Sequence, residues 1–237
     1  MRGLVLLLAS VAFGQTADEI ADRVVAASGK FGAVESMRLR GRMKFGAGNF
    51  GPIVVSAKRP SKFRTELTVG PDHVTQAYDG AIGWQTVVGE HNQTPTALKG
   101  AALAHLIDQA VNAIGGPLFD RKVRHNQVEL MGREKVDGVD CYRLELTLGT
   151  GDKMTIFVNA GDYRVNREEL SIDVNGVPAV IEETIGNYRQ YGPVRVACLF
   201  ITRQRGGEEQ EGQRLEFDTV EINPVLEDSI FQLPGRP

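Results

Sequence analysis

The chain has 237 residues, with 27 basic and 30 acidic side chains for a net charge of −3, and 42% of its residues are hydrophobic. Charges this well mixed make no strong field for nucleic acid or anionic headgroups, so nucleic-acid binding is excluded as a leading function. Its 2 cysteines, Cys141 and Cys198, carry no disulfide-framework signal, and either a single bridge or two buried thiols fits them.

Residues 1–14 read as a secretory signal peptide: Arg2, an apolar run from Leu4 to Phe13, and small residues at Ala12 and Gly14 before Gln15. The run is about half the roughly 20 residues needed to cross a bilayer. No cysteine stands just after it, Cys141 and Cys198 being far downstream, so no lipid anchor is expected. The expectation is an exported, periplasmic chain whose residues 15–237 form a single domain, long enough to bury roughly 70% of its unfolded surface.

Thr16 followed three residues later by Glu19 is a capping box, and Ile20, Ala21, Val24, Val25, Ala27 and Ser28 line one side of a helix that ends at Gly29. From Met37 to Phe45 the period changes to two. Met37, Leu39, Met43 and Phe45 point one way while Arg38, Arg40, Arg42 and Lys44 point the other. Period-two runs recur over residues 53–58, 63–69, 73–78 and 83–88, separated by Pro60, Gly70-Pro71 and Asp79-Gly80, which predicts hairpin-linked strands. Between Thr96 and Ala113 the pattern is helical, with Gly115-Gly116-Pro117 as a stop. So apolar a helix is expected to lie on a large apolar surface.

The second half alternates strand and turn over residues 123–135, 141–148, 154–158, 164–174, 180–188, 195–203 and 214–222, with turns at Asp137-Gly138, Gly149 to Asp152, Asn175-Gly176 and an acidic tip at Glu208, Glu209 and Glu211. The predicted fold class is mainly β (α+β): an unclosed antiparallel half-barrel of about 10–11 strands, curled over its apolar face, with helices as a lid.

Lys58-Arg59-Pro60 with Phe63, then Asp79-Gly80 with Trp84, resemble the central signature of the LolA/LolB family of lipoprotein carriers. Residues 228–234, Asp-Ser-Ile-Phe-Gln-Leu-Pro, resemble that family's closing strand and turn. The resemblance implies an incomplete barrel with helices across its mouth, whose apolar cavity holds acyl chains while a lipoprotein crosses the periplasm. It implies acyl chains of lipoproteins, or another lipid, as ligand, with donor and acceptor proteins at the inner and outer membranes. It implies that Arg59 locks the lid by hydrogen bonding to helix backbone. Phe63, Trp84, Leu98, Leu103, Leu106, Ile107 and Met43 are the candidates for the cavity lining. Without the resemblance, Arg59 reads as a strand-end cation and the others as ordinary core.

Such a device is physically reasonable. Each buried methylene contributes about 0.8 kcal/mol, so a sixteen-carbon tail gains on the order of 10 kcal/mol before the costs of opening. A lid held by hydrogen bonds worth about 1 kcal/mol each can be displaced by that ligand.

Catalytic patterns are missing from the sequence. The 4 histidines are scattered, no His-Glu-x-x-His or Gly-x-Ser-x-Gly occurs, and residues 149–153 lead into a strand, where no helix N-terminus can hold a phosphate. Glu168-Glu169 and Glu182-Glu183 each place their carboxylates on opposite sheet faces, so neither makes a dyad. The row Arg38, Arg40, Arg42 and Lys44 reads as a solvated face paired with neighbouring carboxylates, or as a guide for an anionic partner. The expectation is a monomeric, non-enzymatic carrier with no metal or cofactor. The alternative is an envelope sensor or interaction module on the same scaffold, binding a partner at an exposed edge strand or the acidic tip.

Overall fold

The computed structural model describes residues 15–148, 152–174, 177–207 and 212–235. The candidate leader, the turn residues 149–151, the Asn175-Gly176 turn and the acidic tip lie outside them.

The expected first helix is α1, Ala17–Ser28. The Thr16 hydroxyl accepts from the Glu19 amide at 3.2 Å and the Glu19 carboxylate accepts from the Thr16 amide at 2.8 Å, closing the capping box. Ile20, Ala21 and Val24 are its buried face.

Six strands follow: β1 Ser36–Phe45, β2 Gly51–Lys58, β3 Lys62–Val69, β4 Asp72–Tyr78, β5 Gly83–Val88 and β6 Gln93–Ala97. After α2, Gly100–Asn112, come β7 Gln127–Val136, β8 Val139–Thr147, β9 Lys153–Asn159, β10 Val165–Val174, β11 Val177–Gly186, β12 Arg189–Tyr191, β13 Val194–Val196, β14 Leu199–Gln204 and β15 Gln213–Ile222. Thirteen strands make one antiparallel sheet, ordered β6-β5-β4-β3-β2-β1-β15-β14-β11-β10-β9-β8-β7, and β12 pairs with β13 separately.

This is the open half-barrel that the alternation predicts, with more strands. The β12–β13 hairpin stands outside the sheet, and the expected count of 10–11 falls short in part because Gln93–Ala97 pairs with β5 as an edge strand. The helix therefore starts at Gly100, where φ is +58°, and not at Thr96.

Two meanders join in the middle of the sheet, where β1 pairs with β15. There the register shifts, leaving Asp218 without a partner on β1. Gly41 lies so close to β15 that an added Cβ would be 1.9 Å from the Glu216 carbonyl oxygen. The edges β6 and β7 do not pair with each other. The chain leaves the sheet at one edge, crosses its concave face as α2, and re-enters at the other.

The main core lies beneath α2: Met37, Leu39, Ala57, Phe63, Tyr78, Leu106, Phe217 and their neighbours. A second cluster packs α1 on Tyr142, Leu144, Leu146, Ile156 and Val158. Cys141 and Cys198 are free and buried in different clusters, so the thiol alternative describes them. The basic row of β1 meets carboxylates on β15: Glu221 faces Arg38 and Arg40, and Glu216 accepts from Arg42 Nε at 2.8 Å. Among the described residues no helix is long and apolar enough to cross a membrane.

Candidate functional site

A cavity of about 460 Å³ lies between the concave face and the helices, within the roughly 300–1,000 Å³ range of small-molecule sites. Its apolar wall comes from the middle of the sheet, including Met37 and Leu39 on β1, Phe63 on β3, Phe200 on β14, and Leu215 and Phe217 on β15. Period-two alternation puts these side chains on one face, and the curl of an unclosed sheet converges them.

Of the residues singled out from sequence, Phe63 lines the cavity. Leu103, Leu106, Ile107 and Leu98 pack into the core beside it, over β3, β4 and β5, without reaching the cavity. Each helical residue turns the side chain by about 100°, so the adjoining stripe of α2 faces the cavity instead: His105, Asp108, Gln109 and Asn112. Met43 also packs on the core from the outer part of β1, away from the lining.

The expectation that Trp84 lines the cavity is not met, because Trp84 is on the opposite face of the sheet. Its neighbour Gly83 faces α2, where a Cβ would meet Leu103 Cδ1 at 2.6 Å, so alternation turns Trp84 outward. Its indole N–H donates to the Phe231 carbonyl at 2.8 Å. The C-terminal motif is thus a clasp on the convex side, and Asp228–Phe231 is a 3-10 turn, not a strand. Lys58 and Lys62 each reach Asp228 at 2.7 Å, Arg64 donates to the Ile230 carbonyl at 2.8 Å, and Phe231 is fully buried.

Arg59 sits where the helical elements converge on the sheet. Its Nε donates to the Val34 carbonyl at 2.9 Å, just past a 3-10 turn at Phe31–Ala33, and its Nη1 is 3.2 Å from the Asp120 carboxylate. The guanidinium also lies over the Phe119 ring, 5.1 Å from its centroid. Its partners are therefore the connections that follow α1 and α2, not the backbone of α2.

The contact with α2 itself is made by Arg124, which donates to the Asn112 side chain at 2.7 Å and to the Val111 carbonyl. These groups end the helix, where carbonyls lack intrahelical partners and a cation is favourable. Asp120 bridges the two arginines, 3.5 Å from Arg124. Arg121, with 3% exposure, reaches Asp22 at 2.6 Å and Asp18 at 3.0 Å on α1. The turns at 117–125 therefore bind both helices to the sheet through Asp120, Arg121 and Arg124. Sequence reasoning passed over all three; the i,i+4 spacings Asp18/Asp22 and Asp120/Arg124 were the only signal.

The far wall is acidic. Glu168 and Glu183 are direct cross-strand partners of β10 and β11, and both line the cavity. Each is half-buried, with its accessible surface facing the cavity. Burial, then the charges of Glu183 and Asp108, raise the Glu168 carboxyl to about 8. Burial raises Glu183 as well, although the Thr202 hydroxyl donates to it at 3.0 Å. Tyr188, which donates to the Val165 carbonyl at 2.8 Å, is also pushed up, by burial and then by the Glu168 charge.

The next pair in the ladder, Glu169 and Glu182, points to the convex face and has the opposite environment. Burial alone would raise Glu182, but a hydrogen bond from Arg205 at 2.9 Å and the charges of Arg167, Arg205 and Arg203 outweigh it and hold it low. Among the described residues no cluster of three metal-ligating side chains occurs.

No protein-family model matches the chain, and no curated protein matches it in sequence. Solved structures do match over nearly the whole chain. A DUF1329 family protein from Desulfovibrio piger is 12% identical with a TM-score of 0.62, covering 92% of this chain and 98% of its own. A LolA superfamily protein from Nitrosomonas europaea is 16% identical with a TM-score of 0.60, covering 92% and 98%. A putative outer membrane lipoprotein-sorting protein domain from Vibrio parahaemolyticus is 13% identical with a TM-score of 0.59, covering 91% and 95%. At these identities the likeness establishes the architecture, and the chain has the open half-barrel fold of LolA-type proteins.

Proposed function

We propose that the chain is a periplasmic carrier that takes up the acyl chain of a lipoprotein or another lipid in the cavity beneath α2 and passes it on without chemical change. The observation that carries this reading is the cavity: an apolar wall built from the middle strands of the sheet and covered by α2, which lies in the connection between the two edge strands. A soluble carrier must hide such a surface when empty, and burial of a long chain supplies the free energy to displace the cover.

In this reading Arg59, Asp120 and Arg124 are the latch. They join the sheet to the end of α2 by a few charged hydrogen bonds, a modest barrier compared with the gain from a long alkyl chain. Residues 1–14 act as the export signal and residues 15–237 as the mature domain. Donor and acceptor proteins at the two membranes would load and unload it.

Native mass spectrometry of the protein purified from the periplasm, with extraction of whatever is bound, tests the proposal. A stoichiometric acyl-bearing species is the expected result. Protein without such a species that also fails to take up a fluorescent fatty-acyl probe would refute it.

A further inference from the structure

The two faces of the β10–β11 ladder carry glutamate pairs of identical chemistry and opposite treatment. On the convex face, Glu169 and Glu182 are neutralised by Arg203 and Arg205. On the concave face, Glu168 has no hydrogen bond or ion pair with any described residue, and it stands opposite Glu183 in an otherwise largely apolar cavity. The groups around it do not supply the missing cation. Glu183 on β11 and Asp108 on α2 are acidic, and Tyr188 directs its hydroxyl to the Val165 carbonyl. Arg195 lines the cavity too, but its charge acts on Asp162, and His105 stands exposed on α2 and acts on Asp108.

We propose that this acidic wall recognises the protonated amine of an alkyl-chain amphiphile, with the ammonium on Glu168 and Glu183 and the tail along Met37, Phe63 and Phe217. The proposal rests on the reading of the cavity as an alkyl-chain site and names the polar end of its ligand. An ammonium provides the donors and the positive charge that the wall lacks. A carboxylate head would add another negative charge to the cavity, and an uncharged head would bring no cation to either carboxylate. The exchange balances: as the ammonium enters with its three N–H donors, the proton that Glu168 holds at neutral pH passes to solvent, so both carboxylates can accept from the ammonium and the net charge of the site is unchanged.

The test is isothermal titration calorimetry of the mature protein at pH 7 with dodecylammonium, dodecanoate and dodecanol below their aggregation concentrations, in buffers of different ionisation enthalpy. The amine is expected to bind at least about tenfold more tightly than dodecanol. It is expected to release close to one proton, which dodecanol does not. Glu168→Gln should lose that preference and the proton release. Glu183→Gln should lose part of the preference, and thermal unfolding verifies that both variants are folded. If wild type binds all three chains equally, or Glu168→Gln keeps the preference for the amine, the ammonium site is overturned and the alkyl-chain cavity stands. If none of the three binds, the cavity reading itself falls.

Discussion

Replacing Glu168 by glutamine should stabilise the ligand-free protein, and only above the ordinary glutamate range of pH. In the folded chain the carboxyl is raised from 4.5 to about 8 by burial and by the charges of Glu183 and Asp108. The folded state therefore holds a proton that the unfolded state has already released, and stability falls as pH rises from about 4.5 to about 8. Below that window both states are protonated and glutamine, a neutral isostere, changes little. At pH 7 about 2.5 pKa units of the window have been crossed, at about 1.4 kcal/mol each. Sharing of the proton with Glu183 and the partial exposure of the Glu168 side chain reduce this, so the gain is on the order of 2–3 kcal/mol. For a chain of this length that corresponds to roughly 5–10 °C in Tm. Urea denaturation of wild type and variant at pH 4, 5.5, 7 and 8.5 measures it. Midpoints that differ by the same amount at every pH would refute the argument, because they would show that Glu168 titrates alike in the folded and unfolded chains.

Other substitutions address the latch, the sheet and the clasp. Arg59→Leu removes the guanidinium between Val34 and Asp120, and amide exchange across α2 and residues 117–125 should speed up about tenfold or more while β8 and β9 stay protected. Faster exchange throughout the chain would make Arg59 a general stabiliser, and unchanged lipid transfer would remove it from the carrier mechanism. Gly41→Ala places a Cβ against the Glu216 carbonyl of β15 and should cost at least about 2 kcal/mol in chemical denaturation. A change under about 0.5 kcal/mol would mean that β1 and β15 are not packed this closely. Hydrogen bonds from Lys58 and Lys62 hold the Asp228 carboxyl down to about 2, so the clasp's contribution is present above about 3.8 and is lost as pH falls through about 2. Trp84, whose indole is hydrogen bonded within the clasp, reports this by fluorescence. Asp228→Asn should show the released signal at neutral pH, and a signal identical to wild type would disconnect Asp228 from the clasp.

What can be read from local sequence is what local physics decides. The capping box at Thr16 and Glu19, the period of two along β1 and the Asp79-Gly80 turn each depend on residues a few positions apart, and all are present. From them follow the strands, the first helix, the amphipathic sheet and its open half-barrel class. The family signature located Arg59 and Phe63 at the convergence of helices and sheet, but partners of side chains are set by register and curvature across long sequence separations. Trp84 and Phe63 both read as aromatics of alternating strands. Only the pairing of β3, β4 and β5 decides that one points into the cavity and the other into the C-terminal clasp. Glu168-Glu169 and Glu182-Glu183 correctly read as split between two faces, and nothing local reveals that Glu168 meets Glu183 inside the cavity while Glu169 and Glu182 meet arginines outside. A sheet register joins residues that the sequence leaves unrelated, and curling the sheet then decides which face excludes water. The alternation alone determined that a greasy face exists; the tertiary structure decided what else stands on it.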